Sequence, residues 1–275
     1  MIAFYVQGGG LGHLSRTTAL IQQLGIPPKE VVIITPSAFT HYFKQYSFAA
    51  ISWETAPEDW TAQICNLLTH YAVKQCYIDT FPLGLKGELI GVYTQLSTIS
   101  FHYICRILQW ENYLSAMPKA YTPRFASILR LENLYASHEN WVQQASATIQ
   151  PLTLNKPTPI PVALIPDDYV LLVHSGGKKD VLALCQQLKN NRKYPEIPVY
   201  VFTQVNPGFD DKQFHFRIKE YPVNQYFKHA KHIYTAAGFN LMNELRAYKA
   251  KHTAFPVKRL YDDQYFRIKN DKSST

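Results

Sequence analysis

Three places in this 275-residue chain set glycines between an apolar run and a helical pattern: Gly8-Gly9-Gly10-Leu11-Gly12, Ser175-Gly176-Gly177 and Ala237-Gly238. At such a turn backbone N–H groups can close on a phosphate, and the helix start adds favourable dipole charge. One junction of this kind is common for steric reasons; three, spread over both halves of the chain, point to a phosphorylated ligand. His13 follows the first junction. There the helix dipole disfavours imidazolium and keeps the ring neutral, as a general base requires. His13 has two readings: a proton acceptor, or a helix cap that touches phosphate. Asp79 ends the apolar pattern of Cys76 to Ile78. It is a rival base, an orienting partner for His13, or a turn residue. Arg16, one turn into the helix, either steers an anionic acceptor or pairs at the surface.

The second half carries its own polar set. After Gly238 and Phe239, Asn240 and Glu244 are four residues apart and share one helix face. A carboxylate there can accept hydrogen bonds from vicinal hydroxyls, as ribose recognition requires; a solvated helix face is the plainer reading. Further on, Asp262-Asp263-Gln264 sets acids and an amide at a helix start, a group suited to sugar hydroxyls or to simple capping. Two familiar phosphate motifs are excluded. A dinucleotide fingerprint would need Gly or Ala where Ser15 stands, and an acid near Thr35-Pro36. A P-loop would need a glycine followed by Lys-Ser or Lys-Thr, and none is present.

The elements that must position these residues alternate. Ile2 to Val6 and Val31 to Ile34 read as strands around a helix that begins near Leu14 and stops at Gly25, ahead of Pro27-Pro28. Leu96 to Tyr103 reads as a strand and Glu139 to Ala147 as part of a helix. Pro157, Pro159, Pro161 and Pro166 mark a linker over 153–166. It separates an N-terminal domain, 1–152, from a C-terminal domain, 167–275. In the latter, Tyr169 to His174, Pro198 to Phe202, Phe214 to Ile218, Ile233 to Ala236 and Thr253 to Phe255 read as strands. Asp180 to Lys189 and Phe239 to Ala250 read as helices, and Asp271 to Thr275 as a disordered tail. Strand–helix alternation on both sides of a linker predicts two parallel-sheet α/β domains.

Composition narrows the classes. With 47% apolar residues the chain can bury two cores. A net charge of +8 favours anionic partners without choosing among them, and no long Lys/Arg run or nucleic-acid module accompanies it. Cys65, Cys76, Cys105 and Cys185 lack metal-ligand or secreted-disulfide spacing, so free thiols, no metal and a reducing cytoplasm are expected. His70, His102 and His229 have no ligand spacing either. The N-terminus does not read as a signal peptide. No window approaches the roughly 18 to 20 apolar residues of a spanning helix; any membrane contact is expected to be peripheral.

Taken together, the motifs resemble those of the GT-B glycosyltransferases, in particular the UDP-glycosyltransferases and the UDP-N-acetylglucosamine transferase of peptidoglycan synthesis. Gly10 to Arg16 resembles the G-x-GH-x-x-R loop, Ala237 to Glu244 the Gly-rich helix start with its Glu, and Val257 to Gln264 the terminal DQ element. The resemblance implies two Rossmann-like domains with mostly parallel sheets facing across a cleft. It further implies an inverting, metal-independent transfer from a nucleotide-diphosphate sugar, most simply UDP-linked, with no other cofactor. The acceptor belongs to the N-terminal side, near Gly10, Gly12 and Arg16, and the charge is compatible with an anionic or lipid-linked one. The diphosphate would lie on Ser175, Gly176, Gly177 and on the backbone of Gly238, Phe239 and Asn240. Glu244 would hold the ribose, Tyr221 would flank the base, and Asp263 and Gln264 would contact the donor sugar; His13 or Asp79 would be the base. Two features depart from the pattern: Ala237 replaces one of the usual glycine pair, and the sequence ends soon after Gln264. A nucleotide-sugar 2-epimerase and a non-catalytic nucleotide-sugar-binding protein are the rival readings.

Overall fold

The structure, a computed structural model, describes residues 1–155, 165 and 168–273. It divides into two compact units, Met1–Asn155 with Leu260–Asp263, and the described part of Lys156–Arg259 with Gln264–Thr275. Most of the expected linker, 156–164 and Pro166, lies outside the described residues.

The first unit carries strands β1 (Ile2–Val6), β2 (Val31–Thr35), β3 (Ser47–Ala50), β4 (Gln75–Asp79), β5 (Ser100–Cys105), β6 (Ser127–Arg130) and β7 (Ile149–Pro151). Between them run helices α1 (Leu11–Gln23), α2 (Pro57–His70), α3 (Glu88–Gln95), α4 (Trp110–Ser115) and α5 (Ala136–Ala145). The strands form one parallel sheet in the order β3-β2-β1-β4-β5-β6-β7. The β-branched run of β2 is buried throughout, as helices on both faces of a parallel sheet require. α1 stops where the sequence predicts: Gly25 takes a φ of 67°, and Ile26 N–H and Gly25 N–H close onto Ile21 and Gln22 carbonyls in a Schellman turn. The sheet order reverses between β1 and β4. Open α/β sheets leave a crevice at the carboxyl ends of the strands at such a switch point. The β1–β4 register pairs Val6 with Asp79, which brings the end of β4 beside the glycine loop after β1.

The second unit carries β8 (Val170–His174), β9 (Val199–Thr203), β10 (Phe214–Ile218), β11 (His232–Ala236) and β12 (His252–Phe255). Its helices are α6 (Lys178–Asn191), α7 (Phe239–Glu244) and α8 (Gln264–Ser273). This sheet is also parallel, ordered β10-β9-β8-β11-β12, and it reverses between β8 and β11. Its two faces carry separate cores, one under α6 around Val181 and Leu184, the other around Phe202 and Phe227. The loops Ser175–Gly177 and Ala237–Gly238 thus leave the two strands that flank the switch.

Four expectations need correction. The helix after Gly238 is not continuous to Ala250: α7 ends at Glu244, and a tighter 3-10 segment, Arg246–Lys251, follows with a kink at Tyr248. Burial of Leu245 and the edge-on packing of Tyr248 against Phe227 override the helical pattern there. Leu96 does not start a strand; it caps α3, a helix whose apolar residues mask its period, and β5 begins at Ser100. The tail expectation fails at Asp271, which lies in α8. Finally, Leu260–Asp263, placed by sequence in the C-terminal domain, packs in the first unit.

Candidate active site

His13 is the third residue of α1, whose N-cap Gly10 has extended backbone and no side-chain cap. Its ring lies against Gly8, where φ is +135° and an added Cβ would stand 2.3 Å from Cδ2 and 2.5 Å from Nε2. Glycine at position 8 is therefore needed both for the backbone and for the ring. Phe81 stacks on the other side, with centroids 5.9 Å apart. Space is open beside Gly9 and Gly10.

Asp79 is the partner that orients this ring. His13 Nδ1 and Asp79 Oδ2 are 2.7 Å apart, and the carboxylate is fully buried. Arg16 is buried too. Its Nε donates to Asp79 Oδ1 at 2.8 Å, and its Nη2 donates to Asp79 Oδ2 at 2.6 Å and to Thr80 Oγ1 at 2.8 Å. Nη2 also stands 3.0 Å from His13 Nδ1, but both of its hydrogens are already given to Asp79 and Thr80. A carboxylate can only accept, so the Nδ1 proton belongs to the His13–Asp79 bond. The Nε2 lone pair is left as the basic site. Burial lowers the His13 pKa and outweighs the opposing bond to Asp79, so the ring is neutral near pH 7. Burial alone would raise the Asp79 pKa. The Arg16 guanidinium and the His13 bond overcome it and hold the carboxyl well below the usual range.

These facts correct two sequence readings. Arg16 is neither a surface residue nor a hand for an anionic acceptor; it is the counter-ion of Asp79, because the helix turn from His13 to Arg16 points both side chains at the end of β4. Asp79 is no rival base either. Both oxygens are engaged and its proton affinity is low.

The loop between β4 and α3 is held by groups that the sequence reading missed. Thr80 has a φ of +65°, in the left-handed region unfavourable to a β-branched residue. It is retained by Thr80 N–H on Ile104 O and by the Tyr103 hydroxyl on Thr80 O. Glu88, almost fully buried, accepts from the Tyr5 hydroxyl at 2.7 Å and from Leu85 and Lys86 N–H at 3.1 and 2.8 Å. Gly84 has a φ of +84° and a Cβ there would meet the Glu88 carboxylate at 2.1 Å. No spacing rule marks Glu88, since its partners are 83 and 2 or 3 residues away.

Arg106 was missed in the same way, and Asp262, read from the sequence only as a sugar-binding or capping acid, is its partner. Arg106 Nε donates to Thr80 Oγ1 at 3.0 Å, and its Nη1 meets Asp262 Oδ1 at 2.5 Å. Gln109 N–H donates to Tyr261 O, and the Tyr261 ring packs edge-on against Phe81 and Tyr113. Asp263 accepts the Tyr135 hydroxyl proton. Asp263 and Gln264, read from the sequence as donor-sugar contacts, fall in different units. Asp263 groups with the first unit, and buried Gln264, in the second, uses its carbonyl oxygen on Val257 N–H at 3.0 Å to close its own loop.

In the second unit the Ser175–Gly177 loop enters α6 with Gly177 as an extended N-cap, no side-chain cap and open space beside it. Gly176 is obligatory: a Cβ would stand 2.3 Å from His174 Nε2. Arg259 reaches this loop. Its Nη2 lies 2.7 Å from Asp180 Oδ2 and 3.5 Å from His174 Nε2. Burial, then Arg259, lowers the His174 pKa. Gly238 likewise caps α7 with open space beside it, and Asn240 and Glu244 are part-exposed on that short helix. Tyr221 is part-exposed in the loop after β10, two strands from β8. Among the described residues no group of three or more His, Cys, Asp or Glu side chains could hold a metal, and no helix is long and apolar enough to cross a membrane. The four cysteines are free and buried.

No protein-family model matches the sequence, and no curated protein is similar to it in sequence. Solved structures are similar in fold. The glycosyltransferase SnogD from Streptomyces nogalater superposes with a TM-score of 0.61 at 12% identity, over 99% of this chain and 85% of its own. The glycosyltransferase VinC, in complex with dTDP, gives 0.60 at 12% over 98% and 84%. The UDP-GlcNAc 2-epimerase of Neisseria meningitidis, bound to UDP-GlcNAc, gives 0.52 at 11% over 87% and 78%. With its two parallel α/β sheets in this order, the chain has the GT-B fold, which it shares with glycosyltransferases and nucleotide-sugar epimerases.

Proposed function

We propose that this chain is a glycosyltransferase that moves a sugar, a hexose by type, from a nucleotide-diphosphate donor to an acceptor hydroxyl. The observation that carries the reading is the His13–Asp79 pair, set at the switch point of the first sheet with the imidazole proton fixed on Nδ1. In the proposed step His13 Nε2 takes the acceptor O–H proton. The oxygen electron pair forms the bond to the anomeric carbon, and the bond from that carbon to the diphosphate oxygen breaks with inversion. The nucleoside diphosphate departs with the bonding electrons. Asp79 keeps the imidazole oriented and stabilises the imidazolium that forms, the arrangement general base catalysis needs. The uncapped N–H groups after Gly177, with those around Gly238, are the proposed diphosphate ligands, because helix starts without side-chain caps favour anions. Glu244 is the proposed ribose ligand and Tyr221 the flank of the base. The dTDP and UDP-GlcNAc bound to the two neighbours support a pyrimidine nucleotide donor, UDP-linked in our reading. Burial of Arg16 removes the residue that favoured an anionic acceptor, so the acceptor is assigned only as a hydroxyl compound.

The test is a thermal-shift screen of UDP- and dTDP-sugars, since a ligand of the native state raises its stability. Release of nucleoside diphosphate in the presence of acceptor mixtures is then measured. His13→Ala should abolish release and leave donor affinity unchanged; normal release by this variant would refute the assignment. The epimerase reading is favoured by the fold of the Neisseria enzyme. It requires donor interconversion with no acceptor, which proton NMR of the nucleotide sugar detects directly.

A further inference from the structure

The hydrogen bonds around His13 do not end at Asp79. They run from His13 to Asp79, from Asp79 to Arg16, from Arg16 to Thr80, from Thr80 to Arg106 and from Arg106 to Asp262, each link between 2.5 and 3.0 Å. Thr80 Oγ1 receives hydrogen bonds from both guanidinium groups, so its two lone pairs are occupied. Its backbone is fixed at a φ of +65° and cannot follow a moving partner cheaply. The charges alternate in pairs: Arg16 answers Asp79, and Arg106, whose side chain is 8% exposed, answers Asp262.

From this we infer that Asp262 is a positioning residue for His13, acting through Arg106, Thr80 and Arg16, so that the basic nitrogen is correctly presented only while the segment Leu260–Asp263 is docked. The inference rests on the proposed role of His13 as base. Without Asp262, Arg106 is a nearly buried cation that keeps its bond to Thr80 Oγ1, the atom it shares with Arg16. Arg106 then competes with Arg16 for Thr80 Oγ1, which disturbs the guanidinium that shares Asp79 Oδ2 with His13 Nδ1. The segment is also attached by a backbone bond, Gln109 N–H to Tyr261 O, by the Tyr261 ring on Phe81 and Tyr113, and by the Tyr135–Asp263 bond. Phe81 also stacks on His13, so the ring face and the polar relay both lead from the segment to the imidazole.

The experiment is nitrogen-15 NMR of the imidazoles in the full chain, with His13→Gln to assign the signal. Asp262→Asn, nearly isosteric, is read for the His13 tautomer and for steady-state turnover. We expect the parent to show His13 protonated on Nδ1, Asp262→Asn to show a mixed tautomer, and its kcat to fall about 10- to 100-fold at unchanged donor KM, the scale of a small misplacement of a catalytic group. Asp262→Glu keeps the charge and should recover most of the parent tautomer; it is also the variant read if Asp262→Asn does not fold. Tyr261→Ala, which removes the ring that docks the segment, should reproduce the Asp262→Asn signature. An unchanged tautomer with unchanged kcat in Asp262→Asn overturns the relay while leaving His13 as base. Normal turnover in His13→Ala would instead overturn the base and leave the tautomer result standing.

Discussion

Asp79→Asn is the substitution from which most can be learned, because it changes one charge and almost no volume. Asp79 and Arg16 have side chains that are 0% and 3% exposed, and the pair is made at 2.6 and 2.8 Å. Breaking a buried ion pair by removing one partner costs about 3–5 kcal/mol, since a buried charge is left uncompensated. Arg16 keeps its bond to Thr80 and the new amide retains one oxygen, so the lower end, about 3 kcal/mol, is expected here. For a unit of this size that is a fall in Tm of roughly 6 to 12 °C. The chemistry changes as well. Arg16 holds the remaining oxygen, the amide N–H2 turns to His13 and donates to Nδ1, and the imidazole proton moves to Nε2. A base with its lone pair on the wrong nitrogen loses about 10²- to 10⁴-fold in rate. Three measurements check this: thermal unfolding, the His13 tautomer by NMR, and donor affinity, which should not move. A variant within 1 kcal/mol of the parent, with Nδ1 still protonated, would refute the reasoning. The parent has a matching pH signature. The folded Asp79 pKa lies below the unfolded value of about 3.9. Its contribution to stability is therefore present above that value and is lost as the pH falls beneath it.

Gly8→Ala should displace the His13 ring, because the new methyl would overlap Cδ2 and Nε2 and the φ of +135° disfavours a side chain; turnover falls steeply while UDP affinity stays, as isothermal titration would show. Glu244→Ala should weaken nucleotide binding by about 1–3 kcal/mol, the worth of hydrogen bonds to a charged group, and equal affinity in a titration with UDP would remove the ribose assignment. His138, fully buried against Trp110, has its pKa pushed down to about 3 by burial. The unfolded chain takes up that proton below about pH 6.5 and the folded chain does not, so stability should fall by about 1.4 kcal/mol per pH unit from there on acidification. Urea unfolding at pH 7 and pH 5 measures it, and His138→Phe should lessen the slope by that amount while the other buried histidines keep theirs.

Local pattern was enough for part of this molecule. The β-branched run of β2, the glycines that follow β1, β8 and β11, and the stop at Gly25 are consequences of steric preference within a few residues. They placed His13 at a helix start and Gly177 and Gly238 at helix caps before any contact was known. Short or wholly apolar elements were not legible: α3 lacks a polar face to give it a period, and α7 was shortened by the burial of Leu245. The candidate site shows the division most clearly. Its residue types were readable, but their roles were not, because a role depends on which partner lies across the sheet.

Sequence alone left Arg16 between a hand for an anionic acceptor and a surface cation, and Asp79 between a rival base, an orienting partner and a turn residue; parallel pairing of β1 with β4 made them one buried ion pair that fixes the proton of His13. Glu88 and Arg106 carried no signal, and Asp262 none for its pairing with Arg106, since their partners are separated by 26 to 156 residues or lie in irregular loops. Backbone preference is encoded within a few residues and survives in the sequence. Charge pairing and proton position are set by burial and by neighbours distant along the chain, and only the folded arrangement decides them.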